Sequence, residues 1–392
     1  MGTRWTVRAA VAACILLLPV SGWAQDERAR VDLSLGAPTE RRLTSEEHRG
    51  HLFRERAANF SLAGITYTIA WKACVDPAHG GQVAPIEGYI GMPRPCSCNW
   101  YHSGFLFIRL NGRDIGTTPL SSMTAVERGE RAILDLVWHD EAANVRARFV
   151  GLPAHDCLLC EVAIEPVQAI TSVGIELRCY PSFFTSWHKR DGARRIRTPS
   201  QLVEQGPTVR GPLADNWWAV YYDEVFDVAK GEGEGPCSML VLPTEGAEVL
   251  FAPGDYAVTT TLSFPPDTRR VRMAFWDHKG MTNAAAVEHV AGQAEAVRAL
   301  LQSSDFTPAA VAGFDAEAAR EQVLAALASE AARAALAQQI EQMQSWLEAY
   351  GPARGAEAGE LGVAAEEELL RMVDTYNSFK WELKLIELLT DL

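Results

Sequence analysis

Short apolar runs with a period of two cover most of the first two thirds of the chain. Residues 133–138 are Ile-Leu-Asp-Leu-Val-Trp, and Val145, Ala147 and Phe149 alternate after the next turn signal. Similar runs, rich in β-branched and aromatic residues, occupy residues 159–164, 173–180, 217–228, 238–242, 256–264 and 271–276. Such runs are typical of β-strands, and the Gly, Pro, Asn and Asp residues between them are typical of turns. Roughly ten strands without helical segments between them predict a mainly β fold, a large antiparallel β-sandwich or supersandwich over residues 59–280.

In strand number and aromatic content, residues 60–280 resemble the carbohydrate-binding and mutarotase-like supersandwich architectures. The resemblance rests on these two features and on no sequence motif. It therefore implies a fold, and it implies a function only by analogy.

The apolar period changes to that of an α-helix after residue 280. Helices are predicted over residues 284–302, 316–350 and 363–390. Two stripes at heptad-like spacing run along the second and third helices: Leu336, Ile340, Met343, Leu347 and Tyr350, then Leu369, Val373, Tyr376, Phe379, Leu383, Ile386 and Leu389. Matching stripes on consecutive long helices predict an α-helical hairpin. Trp346 and Trp381 are expected to pack beside these stripes.

Proline content and charge divide the chain at the same point. The chain has 392 residues and a net charge of −14. Of its 20 prolines, 17 lie in residues 25–280, which carry a net charge of −5, whereas residues 281–392 carry −11. We therefore expect a lead segment at 25–58, the sandwich at 59–280 and an acidic α-helical module at 281–392. The acidic balance argues against nucleic acid as a partner.

Residues 1–24 have the pattern of a secretory signal peptide. Arg4 and Arg8 precede the apolar run 9–20, and small residues precede the expected cleavage site. A lipoprotein signal ending at Cys14 is the alternative, although most of the apolar run follows that cysteine. No later run reaches the roughly 18 apolar residues of a spanning helix. We expect a bacterial protein without a membrane span, exported to the periplasm or the extracellular space.

Seven cysteines follow the predicted signal: Cys74, Cys96, Cys98, Cys157, Cys160, Cys179 and Cys237. In an oxidising compartment cysteines usually form disulfides, so all seven are disulfide candidates. Two close pairs with histidines nearby suggest a second interpretation, because thiolates and imidazoles bind Zn²⁺. The ligands of such a metal site are Cys96, Cys98, His102, Cys157 and Cys160. Inert buried thiols are a third interpretation. We expect no cofactor, with zinc as the alternative.

One segment of the predicted sandwich is strongly basic. Asp191-Gly192 is a type I′ turn signal inside residues 188–197, and we expect a basic hairpin there. Aromatic rings stack on sugars, and guanidinium groups pair with carboxylates or sulfates. The candidate ligand-binding residues are Trp187, His188, Lys189, Arg190, Arg194, Arg195, Arg197, Trp217 and Trp218. The alternative is a solvated ribbon whose neighbouring aromatic residues fill the core.

The sequence contains no nucleophile elbow, phosphate-binding loop or His-Glu-x-x-His zinc motif. We therefore expect a non-catalytic binding protein that holds a glycan at the basic hairpin. The basic residues there would suit an anionic glycan. A second hypothesis is a structural or assembly protein of the cell envelope that uses residues 316–392 for self-association or for docking a protein partner. A third is a carbohydrate-active enzyme of the supersandwich type, for which no catalytic residue is assigned.

Overall fold

The computed structural model describes residues 31–42, 51–74, 78–79, 82–83, 88–353 and 361–390. The predicted signal at 1–24, with Cys14, lies outside these ranges, as does part of the lead segment. Within the described ranges, no helix is long and apolar enough to cross a membrane.

The largest of three sheets in this part of the chain has eleven strands, and neighbouring strands run antiparallel. Its strands are β1 (Asp32–Leu35), β2 (Thr39–Arg42), β3 (Leu52–Leu62), β4 (Ile65–Cys74), β7 (Gly88–Arg94), β8 (Leu106–Leu110), β9 (Arg113–Asp114), β14 (Val173–Cys179), β17 (Val209–Pro212), β20 (Glu248–Pro253) and β21 (Val258–Phe264). The spatial order is β1-β3-β4-β7-β8-β14-β21-β20-β17, with β2 beside β3 and β9 beside β8. Two short strands, β5 (Ala78–His79) and β6 (Gln82–Val83), pair separately.

The second sheet has nine antiparallel strands. They are β10 (Leu120–Glu127), β11 (Ala132–His139), β12 (Ala143–Gly151), β13 (Leu158–Pro166), β15 (Arg194–Arg197), β16 (Leu202–Glu204), β18 (Trp218–Asp223), β19 (Cys237–Val241) and β22 (Arg270–Asp277). The order is β10-β11-β12-β13-β22-β19-β18-β15-β16. Among the described residues, three single-turn 3₁₀ helices lie between strands, at Ile115–Thr117, Leu213–Asp215 and Val228–Lys230. The two sheets confirm the predicted antiparallel β-sandwich followed by helices.

The two faces of the nine-stranded sheet belong to different cores, and β22 shows how alternation produces this. Val271, Met273 and Phe275 face the main core between the sheets. Ala274 and Trp276 face the opposite way, into a second core. Successive strand residues point to opposite faces, so a strand buried on both sides reads as a continuous apolar run.

The second core is covered by helix α1 (Asn283–Ser303). Thr282 caps this helix, because its side chain accepts a hydrogen bond from the backbone N–H of Ala285. The buried helical residues are Asn283, Ala286, Val290, Ala294, Val297 and Leu301. They pack with Trp217 and Trp218 on the outer face of the nine-stranded sheet. The first predicted helix is therefore an outer layer of the sandwich.

The remaining helices form a third core. They are α2 (Ala309–Ala312), α3 (Ala316–Ala328), α4 (Glu330–Ala353) and α5 (Val363–Thr390). A single helix was expected over residues 316–350, but α3 ends at Ala328 and the dihedral angles of Leu336 are non-helical (φ −120°, ψ 21°). Asp315 caps α3 by accepting hydrogen bonds from two backbone N–H groups of its first turn.

Most residues of the predicted stripes lie in this third core. The buried members are Leu336, Ile340, Met343, Leu347, Leu369, Tyr376, Phe379 and Leu383. The side chains of Tyr350 and Leu389 are outside the described part. Trp346 is buried as expected, but the expectation for Trp381 is wrong, because 73% of this residue is exposed. Trp381 is two residues from Phe379 and from Leu383, about 200° around the helix, and therefore lies on the opposite face.

Buried ion pairs attach α5 to the nine-stranded sheet. The Glu366 carboxylate accepts hydrogen bonds from Arg146 Nη1 and Arg148 Nη2, both at 2.6 Å. Arg148 also donates to both carboxylate oxygens of Asp135, at 2.7 and 2.6 Å. Arg146 donates to Glu161 at 3.3 Å. Because all these side chains are buried, removing one carboxylate would leave a desolvated guanidinium without one of its two partners.

Candidate functional site

Three loops meet at one end of the eleven-stranded sheet and form an aromatic cleft. The first cleft loop (residues 95–105) connects β7 to β8, the second (180–193) follows β14, and the third (254–257) connects β20 to β21. The strand register brings them together. Leu106 at the start of β8 pairs with Leu177 near the end of β14, whose last residue, Cys179, pairs with Val258 of β21.

Aromatic rings line this cleft, which has a volume of about 570 Å³. Its lining residues are Tyr101, His102, Tyr180, Phe184, Ser186, Trp187 and Tyr256. The ring of Tyr180 lies at the centre, with centroids 4.7 Å from Tyr101, 5.2 Å from Phe184 and 5.1 Å from Tyr256. Trp187 and Tyr256 are 82% and 61% exposed, so two large aromatic faces remain open to solvent.

Burial favours the uncharged forms of three side chains of the cleft, Tyr101, Tyr180 and His102. Burial raises the pKa of Tyr101, and burial together with a hydrogen bond to Tyr256 raises the pKa of Tyr180. Burial lowers the pKa of His102. His102 Nδ1 lies 3.1 Å from the Ser97 carbonyl oxygen, which can only accept, so Nδ1 carries the proton and Nε2 of the neutral ring is an acceptor. The cleft therefore presents apolar faces with neutral hydrogen-bonding groups.

Two arginine side chains, Arg178 and Arg109, share one carboxylate near the cleft. Arg178, the penultimate residue of β14, donates to Glu176 at 2.9 Å, and its guanidinium lies 4.9 Å from the ring centroid of Phe107. Glu176 also accepts a hydrogen bond from Arg109 at 2.9 Å. Arg178 and Arg109 therefore share the single negative charge of Glu176.

Asn99 connects the first two cleft loops beneath the aromatic lining. Its Nδ2 atom donates to Asp277 Oδ1 at 3.1 Å, and its Oδ1 atom accepts from the backbone N–H of Ser182 at 2.9 Å. The N–H of Tyr180 donates to the Cys98 carbonyl at 2.9 Å. Because Asn99 is fully buried, these bonds fix Tyr101 and Tyr180 relative to each other.

Asp277, at the end of β22, is the buried anchor of this network. Besides Asn99, the backbone N–H groups of Cys96 and Lys279 donate to its carboxylate, at 3.2 and 3.1 Å. Burial nevertheless raises the pKa of Asp277 to about 7, because the three hydrogen bonds only partly offset desolvation of the charge.

Arg194 supports the other side of the cleft. Its guanidinium lies 5.9 Å from the ring centroid of Tyr180, and Nη2 donates to Thr185 Oγ1 at 2.9 Å. Thr185 Oγ1 donates in turn to the Asp255 carbonyl at 3.1 Å, and Gln205 donates to the Asp255 carboxylate at 2.7 Å. This chain of contacts connects the second cleft loop to the third.

The basic hairpin predicted at residues 188–197 does not form. Residues 194–197 are strand β15, which lies between β16 and β18, and Asp191-Gly192 belongs to the second cleft loop. Gly192 fits there because a Cβ atom would lie 2.2 Å from Asp223 Oδ2. The glycine is required for close packing, and the sequence signal for a type I′ turn was misleading.

The structure separates the predicted ligand-binding residues. Trp187 lines the cleft. His188 stacks on Phe183 at 4.6 Å between ring centroids, and Lys189 is exposed. Arg190 pairs with Glu232 at 3.0 Å.

The remaining predicted residues lie elsewhere in the sandwich. Arg194 is buried, Arg195 pairs with Glu224 at 3.1 Å, and Arg197 is exposed. Trp217 and Trp218 pack under α1 on the other sheet, so they do not join Trp187 at one surface. Their position agrees with the alternative in which the aromatic residues fill a core.

The cysteines do not form the expected disulfides in the structure. All seven are free and buried, which agrees with the interpretation as buried thiols. Cys96 Sγ and Cys98 Sγ are 3.1 Å apart, a hydrogen-bonding distance well above the roughly 2.05 Å of a disulfide.

The structure does not assemble the predicted zinc ligands. Cys160 faces the core between the sheets, whereas Cys157 packs under α1 on the opposite face, so the two thiols cannot converge. Among the described residues, no group of three or more His, Cys, Asp and Glu side chains could hold a metal ion. His102 belongs to the aromatic cleft instead.

Sequence reasoning missed Tyr101 and Tyr256 as parts of the site. Tyr256 was placed in a strand, although it directly follows the turn residues Pro253-Gly254-Asp255. An aromatic residue immediately after such a turn has no sheet neighbour to cover it, so the position of Tyr256 in the sequence could have indicated that its ring is exposed. Tyr101 had no comparable signal, because its exposure depends on the path of the first cleft loop.

No protein-family model and no curated protein matches the chain. Solved structures of similar fold include an α-N-acetylgalactosaminidase from Bifidobacterium bifidum in complex with GalNAc, which is 14% identical with a TM-score of 0.38 over 62% of this chain and 38% of that chain. The galactosidase domain of the α-galactosidase–sucrose kinase AgaSK is 13% identical with a TM-score of 0.34 over 56% of this chain and 40% of that chain.

A third similar structure, assigned as an aldose 1-epimerase from Klebsiella pneumoniae, is 10% identical with a TM-score of 0.33 over 67% of this chain and 95% of that chain. The chain spans about two fifths of the length of the two glycosidases. The similar structures are thus carbohydrate-related, and at these identities the likeness concerns the fold alone.

Proposed function

We propose that this protein binds glycans at the aromatic cleft without catalysing their turnover. The observation that carries the proposal is the pair of exposed rings, Trp187 and Tyr256, at a cavity of about 570 Å³. Large exposed aromatic residues grouped at a cavity are typical of binding sites. Sugar rings have apolar faces that stack on aromatic side chains and hydroxyl groups that hydrogen-bond to neutral partners.

We favour a neutral glycan over the anionic one considered from sequence, because the arginines around the cleft already make contacts within the protein. Arg178 is paired with Glu176, which it shares with Arg109, and Arg190 is paired with Glu232. Arg194 is fully buried behind the Tyr180 ring and supports Thr185. The hydroxyl groups of Tyr101 and Tyr256, with Nε2 of His102, are the hydrogen-bonding groups that would contact sugar hydroxyls.

Export belongs to the same proposal, because a glycan-binding protein of a bacterial cell meets polysaccharides mainly outside the cytoplasm. It rests on the n-region arginines and the apolar run within residues 1–24. Expression of the full chain followed by N-terminal sequencing of the protein recovered from the periplasm tests it. A mature N-terminus near Gln25 is expected, and full-length protein confined to the cytoplasm would contradict export.

Binding is tested with soluble neutral oligosaccharides of galactose, glucose and mannose, and with uronic acid oligosaccharides as the anionic comparison. Isothermal titration calorimetry should detect at least one neutral ligand. Trp187→Ala should weaken binding by about tenfold or more, because an exposed stacking face is lost. Trp381→Ala is the matched control, since that residue is similarly exposed but lies on α5.

Two results would overturn the binding proposal: no binding by any oligosaccharide of the panel, or unchanged binding by Trp187→Ala. Preferred binding of uronic acid oligosaccharides would overturn the neutral-ligand part. Release of reducing ends from the bound oligosaccharide would contradict binding without turnover.

A further inference from the structure

Helix α5 carries an apolar stripe on the face that is turned away from the third core. Trp381, Leu385 and Leu388 are 73%, 57% and 57% exposed. Their spacings of four and three residues place them on one face of the helix. The neighbouring residues Phe379 and Leu383 point the other way and are buried. We call Trp381, Leu385 and Leu388 the α5 stripe.

The α5 stripe is a concentrated patch. The described residues include ten large hydrophobic side chains that are exposed, and three of them lie within eight consecutive residues of this helix. Scattered exposed apolar residues are normal on protein surfaces, whereas contiguous ones mark interaction surfaces.

The charges beside the stripe are arranged for pairing with a second copy of the same helix. Lys384 lies on one flank, with Nζ 5.8 Å from the Trp381 ring centroid, and Glu387 is one turn further along that flank. In an antiparallel pair related by a two-fold axis near Leu385, Trp381 faces Leu388 of the second copy, and Lys384 faces Glu387. The two-fold axis repeats each contact. A parallel pair would instead bring opposite flanks of the helix together, so Lys384 would not face Glu387.

We propose that the protein self-associates into a two-fold dimer through antiparallel packing of the α5 stripe. The occupant of this surface is a second copy of the chain. The interface is centred on three apolar side chains per copy, which is small compared with standard interfaces of about 800 Å² per partner. The dimer is therefore weak and depends on concentration.

Sedimentation equilibrium of the full chain, from micromolar to submillimolar concentration, tests the dimer. The average mass should rise toward twice the chain mass. Leu385→Glu should raise the dissociation constant by about tenfold or more, because it replaces a buried apolar contact with a charge. Leu324→Glu is the matched control, since Leu324 is 62% exposed but lies on α3. A constant monomer mass, or an equal effect of Leu324→Glu, would overturn the proposal.

A charge exchange tests the antiparallel arrangement without touching the apolar residues. Lys384→Glu and Glu387→Lys should each raise the dissociation constant by a few fold, since single surface ion pairs contribute little. The double variant Lys384→Glu/Glu387→Lys should restore wild-type dimerisation, because each charge again faces its opposite. Circular dichroism checks that the variants remain helical. If the double variant does not dimerise like wild type, the proposed antiparallel geometry is wrong.

Discussion

Asn99 Nδ2 donates a hydrogen bond to Asp277 Oδ1 over 3.1 Å, and this contact connects the end of β22 to the loop that carries Tyr101 and His102. The same Asn99 side chain holds Ser182, in the loop that carries Phe184 and Trp187. The aromatic lining of the cleft is therefore positioned by a buried polar network rather than by the rings alone.

Asn99→Ala should loosen both cleft loops. The substitution removes the bonds of Asn99 to Asp277, to Ser182 and to the Pro236 carbonyl at 3.1 Å. Leaving buried groups unsatisfied typically costs about 1–3 kcal/mol each, so the free energy of unfolding should fall by about 3 kcal/mol. Urea unfolding measures this. Asn377→Ala, an exposed position on α5, should stay within about 0.5 kcal/mol of wild type. Equal stability of the two variants would contradict the role of the network.

Asp277→Asn should remove a pH dependence of stability. Burial raises the pKa of Asp277 to about 7 in the folded state, above its unfolded value near 4. The folded protein therefore binds the extra proton between these values, and its contribution to stability is present below about pH 4 and lost as the pH rises to about 7. The asparagine does not titrate. Urea unfolding across this range should show that the free energy of unfolding of the wild type falls relative to that of the variant as the pH rises. Parallel stability curves would show that Asp277 is not perturbed.

Gly192→Ala should destabilise the second cleft loop by overpacking. The new methyl group would lie 2.2 Å from Asp223 Oδ2 and 2.9 Å from Thr185 Cγ2. Such overpacking typically costs about 1–3 kcal/mol. Gly292→Ala on α1 is the matched control, because nothing lies within 4 Å of its Cβ position and alanine favours a helix by about 0.5–1 kcal/mol. Thermal unfolding should show opposite shifts, and shifts of the same sign would contradict this account.

Glu366→Gln should release α5 from the sandwich. The amide keeps the shape but removes the charge that pairs with Arg146 and Arg148 at 2.6 Å. Breaking a buried ion pair costs about 3–5 kcal/mol. Hydrogen exchange should show faster amide exchange over the first turns of α5, while β19 and β22 keep their protection. Glu368 is half-exposed beside Arg371, so the amides of α5 in the Glu368→Gln variant should exchange at the wild-type rate. Unchanged protection of α5 in Glu366→Gln would contradict the attachment.

The cleft could be predicted only in part. An aromatic site next to residues 188–197 was expected, and Trp187 does line a cavity. The type I′ signal at Asp191-Gly192 failed because the tight backbone there serves packing against Asp223. Trp217 and Trp218 were predicted to belong to the same site, because the sequence does not show that α1 covers the face on which they lie.

Local pattern alone determined most strands from β11 onward, the helical end and the stripes at Leu336 and Leu369, because period-two and period-3.6 apolar spacing each satisfy one kind of hydrogen-bonded backbone. Tertiary structure decided what depends on distant partners. The register of β8, β14 and β21 brought Tyr101, Tyr180 and Tyr256 together, although they come from three separate loops. The tertiary structure also places Cys157 and Cys160 on opposite faces of one sheet and leaves Trp381 exposed. These outcomes arise because a side chain's surroundings depend on which other segments pack against its face, and this is not encoded in the spacing of its own neighbours.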